Sequence, residues 1–346
     1  MTEQMRVAVV GCGFFAQNHL HSWKDLRGQG VDLVAVCDID PTKAMAAAET
    51  FGVPRWYSDV DTMFREQRLG LVDIVTRVDT HQRLVERAIA HHVPTIVQKP
   101  FGPDLASCVA MAAAAKAKGV FLAVHENFRF QTPMRRVTDL LRSGVIGEPS
   151  WARISFRTGY DVYKGQPYLL QDERFVVIDL GVHVLDLARA FLGEVAHVSA
   201  ETQRRNLKVR GEDTATMLLK HRSGAVSVVE CTYEAHRKPD NFPETLVEIE
   251  GPKGAILLKP GLTMDVTVEG SLTTSDVDVP VLPWAERPWH FVQESVFATC
   301  SHMLAAVRAG READTSAGDN LKTFALCEAA YEAASVGGLA QPRATP

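Results

Sequence analysis

Arg6-Val7-Ala8-Val9-Val10-Gly11-Cys12-Gly13-Phe14-Phe15-Ala16 is the stretch that decides the fold. Arg6 to Val10 is a short β-branched run stopped by glycine, which reads as a strand buried on both faces. It feeds a Gly-x-Gly-x-x-Ala turn, and a helical stretch continues to about Lys24. Each residue type in that turn has a reason. The first glycine makes the tight bend, the second lets backbone approach a pyrophosphate, and the small third residue lets helix and strand pack closely. The helix N-terminus then receives the phosphate charge. A glycine pattern alone is weak evidence; a strand before it and a helix after it give it weight.

Outward from there the pattern repeats. Val31 to Val36 reads as a second strand, followed by Cys37-Asp38-Ile39-Asp40-Pro41. Asp38, at that strand's end, is placed to accept hydrogen bonds from both ribose hydroxyls of an adenosine half. Its charge repels a 2′-phosphate and Ile39 offers no guanidinium to receive one, so the expected cofactor is NAD and not NADP. The Gly28-Gln29-Gly30 loop accounts for a Gly11–Asp38 interval longer than the usual ~20 residues. Asp40 reads as an N-cap with Pro41 at the first helical position. Val72 to Thr76, Thr95 to Gln98 and Phe121 to Val124 are further strands, and Thr80 to His91 and an Asp104-capped stretch to Lys118 are helices. Such alternation predicts a doubly wound parallel sheet whose ligand lies at the carboxyl ends of the strands. Gly11, Asp38, Thr76, Gln98-Lys99-Pro100 and His125-Glu126-Asn127 fall there. Lys99 at a strand end is either a solvated charge or the cation that a developing alkoxide needs.

Near Asn127 the alternation ends. A helix is expected over Pro133 to Arg142, then strands over Trp151–Thr158, Val195–Thr202, Thr214–His221, Ala225–Tyr233, Thr245–Glu250 and Ala255–Lys259. His221-Arg222-Ser223-Gly224 reads as a tight hairpin. Two helices, about Val292–Ala309 and Gly318–Ala334, close the chain. The prediction is α/β overall: an NAD-binding Rossmann domain over 1–127, an α+β domain with a largely antiparallel, open-faced sheet over 128–338, and a disordered tail over 339–346. An uncovered sheet face implies a homo-oligomer, a dimer or a tetramer, assembled through that sheet.

One stretch interrupts the strands: Arg174 to Gly193, RFVVIDLGVHVLDLARAFLG. As a single α-helix it would place Asp179, His183 and Asp186 at i, i+4 and i+7, on one face. That stripe either faces water or lines a site, and Asp186 is expected to face solvent rather than to fix the imidazole tautomer of His183.

Length and composition agree with an ordinary enzyme. A chain of 346 residues exceeds a single core, and a formal charge of −5 gives no footprint for nucleic acid or an anionic membrane. Cysteines 12, 37, 108, 231, 300 and 327 form no CxxC pair, which argues against zinc and disulfides and for a reducing compartment. No secretory pattern follows Met1 to Gln4 and no run is long enough to cross a bilayer, so a cytoplasmic protein without a metal is expected.

The combination of the turn at Gly11, Asp38, Thr76 with His81 five residues on, Lys99-Pro100, Asn127-Phe128-Arg129-Phe130 before Pro133, and Asp179-Leu180-Gly181-Val182-His183 resembles the Gfo/Idh/MocA oxidoreductases along nearly the whole chain. The resemblance implies that Lys99, Asp179 and His183 act on the substrate. It implies NAD contacts from Gly11, Gly13, Phe14, Phe15, Asp38, Thr76, His81, Gln98, Lys99 and Asn127. Two positions depart from the family pattern: its glutamate before the lysine is Gln98 here, and its proline after the threonine is Arg77. Arg157 and Tyr160 are candidates either for sugar hydroxyls or for ordinary sheet-surface packing. Segments such as Arg153-Ile154-Ser155-Phe156-Arg157-Thr158-Gly159-Tyr160 are similar to a bacterial subgroup acting on the branched aldose D-apiose, which implies oxidation at the anomeric carbon to an aldonolactone. Oxidation of a ring-carbon hydroxyl, as in an inositol or 3-keto-sugar dehydrogenase, and a non-catalytic sugar or cofactor sensor are the competing expectations.

Overall fold

The computed structural model describes residues 4–343, which divide into two compact units. The first comprises residues 4–127 together with Ser295–Leu321. Its six parallel strands are β1 (Met5–Val10), β2 (Val31–Cys37), β3 (Arg55–Tyr57), β4 (Leu71–Ile74), β5 (Thr95–Gln98) and β6 (Leu122–His125). They lie in the order β3-β2-β1-β4-β5-β6, the doubly wound order of dinucleotide-binding sheets. The strand order reverses between β1 and β4, so the loops after those two strands flank the crevice. Five helices connect the strands: α1 (Ala16–Asp25), α2 (Pro41–Phe51), α3 (Val60–Glu66), α4 (His81–Ala90) and α5 (Leu105–Lys118).

Caps fix where these helices start. Asp40 accepts the Thr42 N–H at 3.0 Å with Pro41 in the first turn, and Asp104 accepts the Ser107 N–H at 2.7 Å. Strand β3 and helix α3 are too short for apolar periodicity to reveal. Three residues are too few for a periodicity, and α3 is a seven-residue helix held by its Asp59 cap on Thr62 N at 2.8 Å.

The chain comes back to this unit near its end. Helix α8 (His290–Ala309) contributes Val296, Cys300, Met303 and Leu304 to the same core as Trp23, Leu33 and Ile96. Thr315 then extends the pairing: its carbonyl accepts the Val124 N–H at 2.9 Å and its hydroxyl donates to the Val124 carbonyl at 2.7 Å. A domain boundary placed at Asn127 does not contain this return.

The second unit comprises residues 128–294 and 322–343. Its nine-stranded sheet runs β14-β13-β12-β11-β7-β10-β9-β8-β15, with β7 (Trp151–Arg157), β8 (Val195–Gln203), β9 (Thr214–His221), β10 (Val226–Thr232), β11 (Leu246–Gly251), β12 (Gly254–Lys259), β13 (Thr263–Val268), β14 (Ser271–Asp276) and β15 (Leu339–Ala340). All neighbours are antiparallel except β7 and β10, so the sheet is mixed. Helix α6 (Thr132–Arg142), helix α7 (Val182–Leu192) and the second half of α9 (Ala317–Val336) supply apolar side chains to its core.

Two expectations for this unit need correction. Residues Leu339 and Ala340 are not a disordered tail: they form β15 against Ser199 and Val198, with Ala340 buried, while residues 344–346 lie outside the described part. Nor is the polar stripe of α7 a wet one. Every residue of α7 except Ala190 is buried. Asp186 takes a two-point contact from the Arg129 guanidinium and a hydrogen bond at 2.6 Å from the Thr323 hydroxyl, so it faces a cation instead of solvent. Arg189 is likewise engaged, by Thr323 at 2.6 Å and by Glu194 at 2.9 Å. The reason is energetic: a helix apolar all round is forced inside, and its charges survive there only when paired.

Candidate active site

In the first unit the glycine turn has the shape a dinucleotide needs. Gly11 has φ +97°, and a Cβ added there would lie 2.2 Å from the Val75 carbonyl oxygen, so only glycine lets the loops after β1 and β4 touch. Gly13 is the opposite case. A Cβ there would meet nothing within 4 Å, which is the open space a pyrophosphate would approach before the N-terminus of α1. Phe14 is largely exposed and Phe15 half-buried beside that space.

Asp38 follows β2 and braces the turn. Its Oδ2 accepts the Cys12 N–H at 2.7 Å and its Oδ1 accepts the Asp40 N–H at 2.9 Å. A carboxylate oxygen has lone pairs for a further donor, so the two ribose hydroxyls still find acceptors. Ile39 beside it is 89% exposed and apolar. These residues fit NAD, and they make a prediction. Asp38→Ser combined with Ile39→Arg should move the kcat/KM preference toward NADP by about 10- to 100-fold, the worth of one charge-assisted phosphate contact. Initial rates with both coenzymes measure the ratio; an unchanged ratio counts against Asp38 as the ribose ligand.

Thr76 lies just beyond β4, with its hydroxyl 2.7 Å from that of Thr80. His81 is buried: Nε2 faces the Thr76 carbonyl at 3.1 Å, and Nδ1 faces the Pro100 and Phe101 carbonyls at 3.1 and 3.3 Å. Burial lowers its pKa, so the ring is neutral and its one N–H donates either to the loop after β4 or to the loop after β5. Gln98 ends β5 and is buried; Lys99 follows, partly exposed, with a cis peptide to Pro100. Asn127 is buried and donates to the Ser295 hydroxyl at 2.7 Å.

In the second unit Asp179 and His183 occupy successive turns of one helix, although that helix is not uniform. Residues Val177–Gly181 form a π turn before α7 begins. Such insertions are frequent at functional positions because they redirect a side chain. Asp179, partly exposed, accepts the Tyr233 hydroxyl at 3.0 Å. Burial and the neighbouring Asp179 charge raise the Tyr233 pKa well above its ordinary value, so it stays a donor. The His183 ring is stacked flat on Phe128, with centroids 3.9 Å apart and planes 5° from parallel. Arg157 is tied to Glu230 at 3.2 Å across the β7–β10 pair. Tyr160 stacks on Phe242 at 3.9 Å and stands edge-on to Trp289, leaving a half-exposed aromatic shelf.

Tyr233, Phe128 and Arg129 were not given roles by the sequence. Fifty-four residues separate Tyr233 from Asp179, and no spacing rule spans that interval.

Both units have counterparts among known proteins. Residues 5–126 match the oxidoreductase-family model described as an NAD-binding Rossmann fold, and residues 134–257 match the GFO/IDH/MocA C-terminal domain. The chain belongs to the Gfo/Idh/MocA family. It is therefore an NAD-binding oxidoreductase of that family, as the resemblance implied. Among its relatives is a D-apiose dehydrogenase of Rhizobium rhizogenes, 48% identical over 97% of both chains. A second D-apiose dehydrogenase, from Paraburkholderia graminis, is 44% identical over 97% of this chain and 89% of that one. An oxidoreductase from Agrobacterium radiobacter, crystallised with NAD+, L-tartaric acid and magnesium, superposes with a TM-score of 0.95 at 47% identity over 98% of each chain.

Proposed function

We propose that this Gfo/Idh/MocA family member oxidises the anomeric hydroxyl of an aldose, D-apiose foremost, to the aldonolactone. The observation that carries the reading is the 48% identity, across 97% of both chains, to a D-apiose dehydrogenase. Bound NAD supplies the acceptor for the hydride that leaves the anomeric carbon. His183 takes the hydroxyl proton, as imidazole does near neutrality. Asp179, its carboxylate fixed by the Tyr233 hydroxyl, orients the sugar. Lys99 stabilises negative charge developing on the oxygen. Arg157 and the Tyr160 shelf contact sugar hydroxyls and a sugar C–H face, a reading supported by the exposed aromatic stack. His81 and Asn127 act on the cofactor through the loops they hold.

The protein works as a cytoplasmic homo-oligomer, joined through the second-unit sheet, in which exposed Leu218 and Leu272 leave apolar side chains on the outer face. Among the described residues no helix is long and apolar enough to cross a membrane.

The test is NADH formation across D-apiose, straight aldopentoses, aldohexoses and myo-inositol, with product analysis. A lactone that hydrolyses to the acid is expected from D-apiose. A stable ketose, or turnover of myo-inositol alone, would replace the anomeric reading with ring-carbon oxidation, and no turnover of any polyol would favour a sensor.

A further inference from the structure

Beneath Lys99 runs a chain of buried polar groups whose hydrogens are all determined by one backbone amide. The Lys99 N–H donates to Gln98 Oε1 at 2.7 Å. That fixes the amide's orientation, so Gln98 Nε2, 3.1 Å from His19 Nε2, must be the donor of that contact. His19 Nε2 is then a lone pair, and its one proton sits on Nδ1, which donates to Asp73 Oδ2 at 2.7 Å. Trp23 Nε1–H donates to the same oxygen at 2.7 Å. His19, Trp23 and Asp73 are fully buried and Gln98 nearly so. The His19 and Trp23 N–H donors offset the cost of burying the Asp73 carboxylate.

We infer that Gln98 is a positioning residue for Lys99: it anchors the Lys99 backbone to the sheet floor through an uncharged amide and imidazole, Lys99 N–H to Gln98 to His19, that end on the Asp73 carboxylate. Buried His81 packs on the other side of the same loop, with its ring nitrogens facing the Thr76 and Pro100 carbonyls. A glutamate at position 98 would also accept the Lys99 N–H, but its second oxygen would confront the His19 lone pair. The imidazole would have to take up a proton and sit charged between two carboxylates. The uncharged amide is what lets the single buried anion Asp73 suffice.

The cluster invites a second interpretation, since His19, His125 and Cys300 place donor atoms within 4.8 Å of one another. The relay argues against a metal there. The His19 Nε2 lone pair already faces the Gln98 amide, and burial keeps the Cys300 thiol protonated.

The inference rests on the reading that Lys99 acts on the substrate oxygen, so Lys99→Met is assayed beside the Gln98 variants. Gln98→Leu, which removes both contacts, should lose about 10- to 100-fold in kcat while the KM for NAD changes by less than about threefold. Gln98→Glu, which restores the acceptor, should recover most of that loss. In ¹⁵N spectra of the imidazoles, His19 Nε2 should be pyridine-like in the native chain and pyrrole-like in Gln98→Glu. Native kcat in Gln98→Leu beside an inactive Lys99→Met overturns the positioning role alone. Native kcat in Lys99→Met overturns the reading of Lys99 itself, and this inference with it. Should Gln98→Leu fail to fold, the native spectrum decides: a protonated Nε2 on His19 overturns the relay, and a bare one supports it.

Discussion

Lys99→Met is expected to lower kcat by about 10²–10³-fold while NAD affinity, read by quenching of protein fluorescence, stays within about threefold. Methionine keeps the length and apolar stem of lysine and removes only the ammonium, so the loss reports charge stabilisation in the transition state. The expected size, about 3–4 kcal/mol, is that of one preorganised donor aimed at a developing oxyanion in a cleft poor in water. Uniform binding of the sugar would show instead as a raised KM with kcat intact. Lys99→Arg is not a rescue: the guanidinium is planar and broad where the ammonium is compact, and it does not shed a proton. A Lys99→Met enzyme with native kcat would remove Lys99 from the chemistry.

His183→Asn should have an effect as large or larger, about 10²–10⁴-fold on kcat, because it removes the proton acceptor. Asparagine can still donate a hydrogen bond to a hydroxyl, so sugar affinity should change far less than turnover. The residual rate should climb with hydroxide concentration, since the substrate must then lose its proton to solvent. The ring also stacks on Phe128, and that contact supplies a control. His183→Phe restores an aromatic face without a base; it should recover the melting temperature and none of the activity. Full turnover in either variant would sink the base assignment.

Much of the first unit is legible from sequence because its signals are local. The glycine turn, the acid after β2, and the caps at Asp40 and Asp104 each act within a few residues of themselves, and the parallel, doubly wound character of the sheet follows from strand–helix alternation. The helix bearing Asp179 and His183 is legible as a helix for the same reason. Its π turn is not, since one extra residue in a turn leaves the apolar pattern nearly intact. Asp186 was misplaced because its partner Arg129 lies 57 residues away, and a carboxylate near a helix surface looks the same in sequence whether water or a guanidinium meets it. Strand β14 escapes because its residues are largely polar and it is exposed along its whole length, whereas β13 does carry a polar–apolar alternation, Thr-Met-Asp-Val-Thr-Val, too short to stand out beside it. The relay below Lys99 joins residues 19, 73 and 98, which only the parallel sheet brings together.

The return of Ser295–Leu321 to the first unit has a consequence for how the chain is made. A ribosome delivers β1 to β6 early, yet Val296, Cys300, Met303 and Leu304 of that unit's core emerge only after the whole of residues 128–294. Until then Leu33, Ile96 and Ala123 lack part of their cover, and a nascent or severed fragment ending at 127 would carry that apolar surface into water. The core of the first unit is thus complete only once the residues after 294 have been made, although its six strands are translated first.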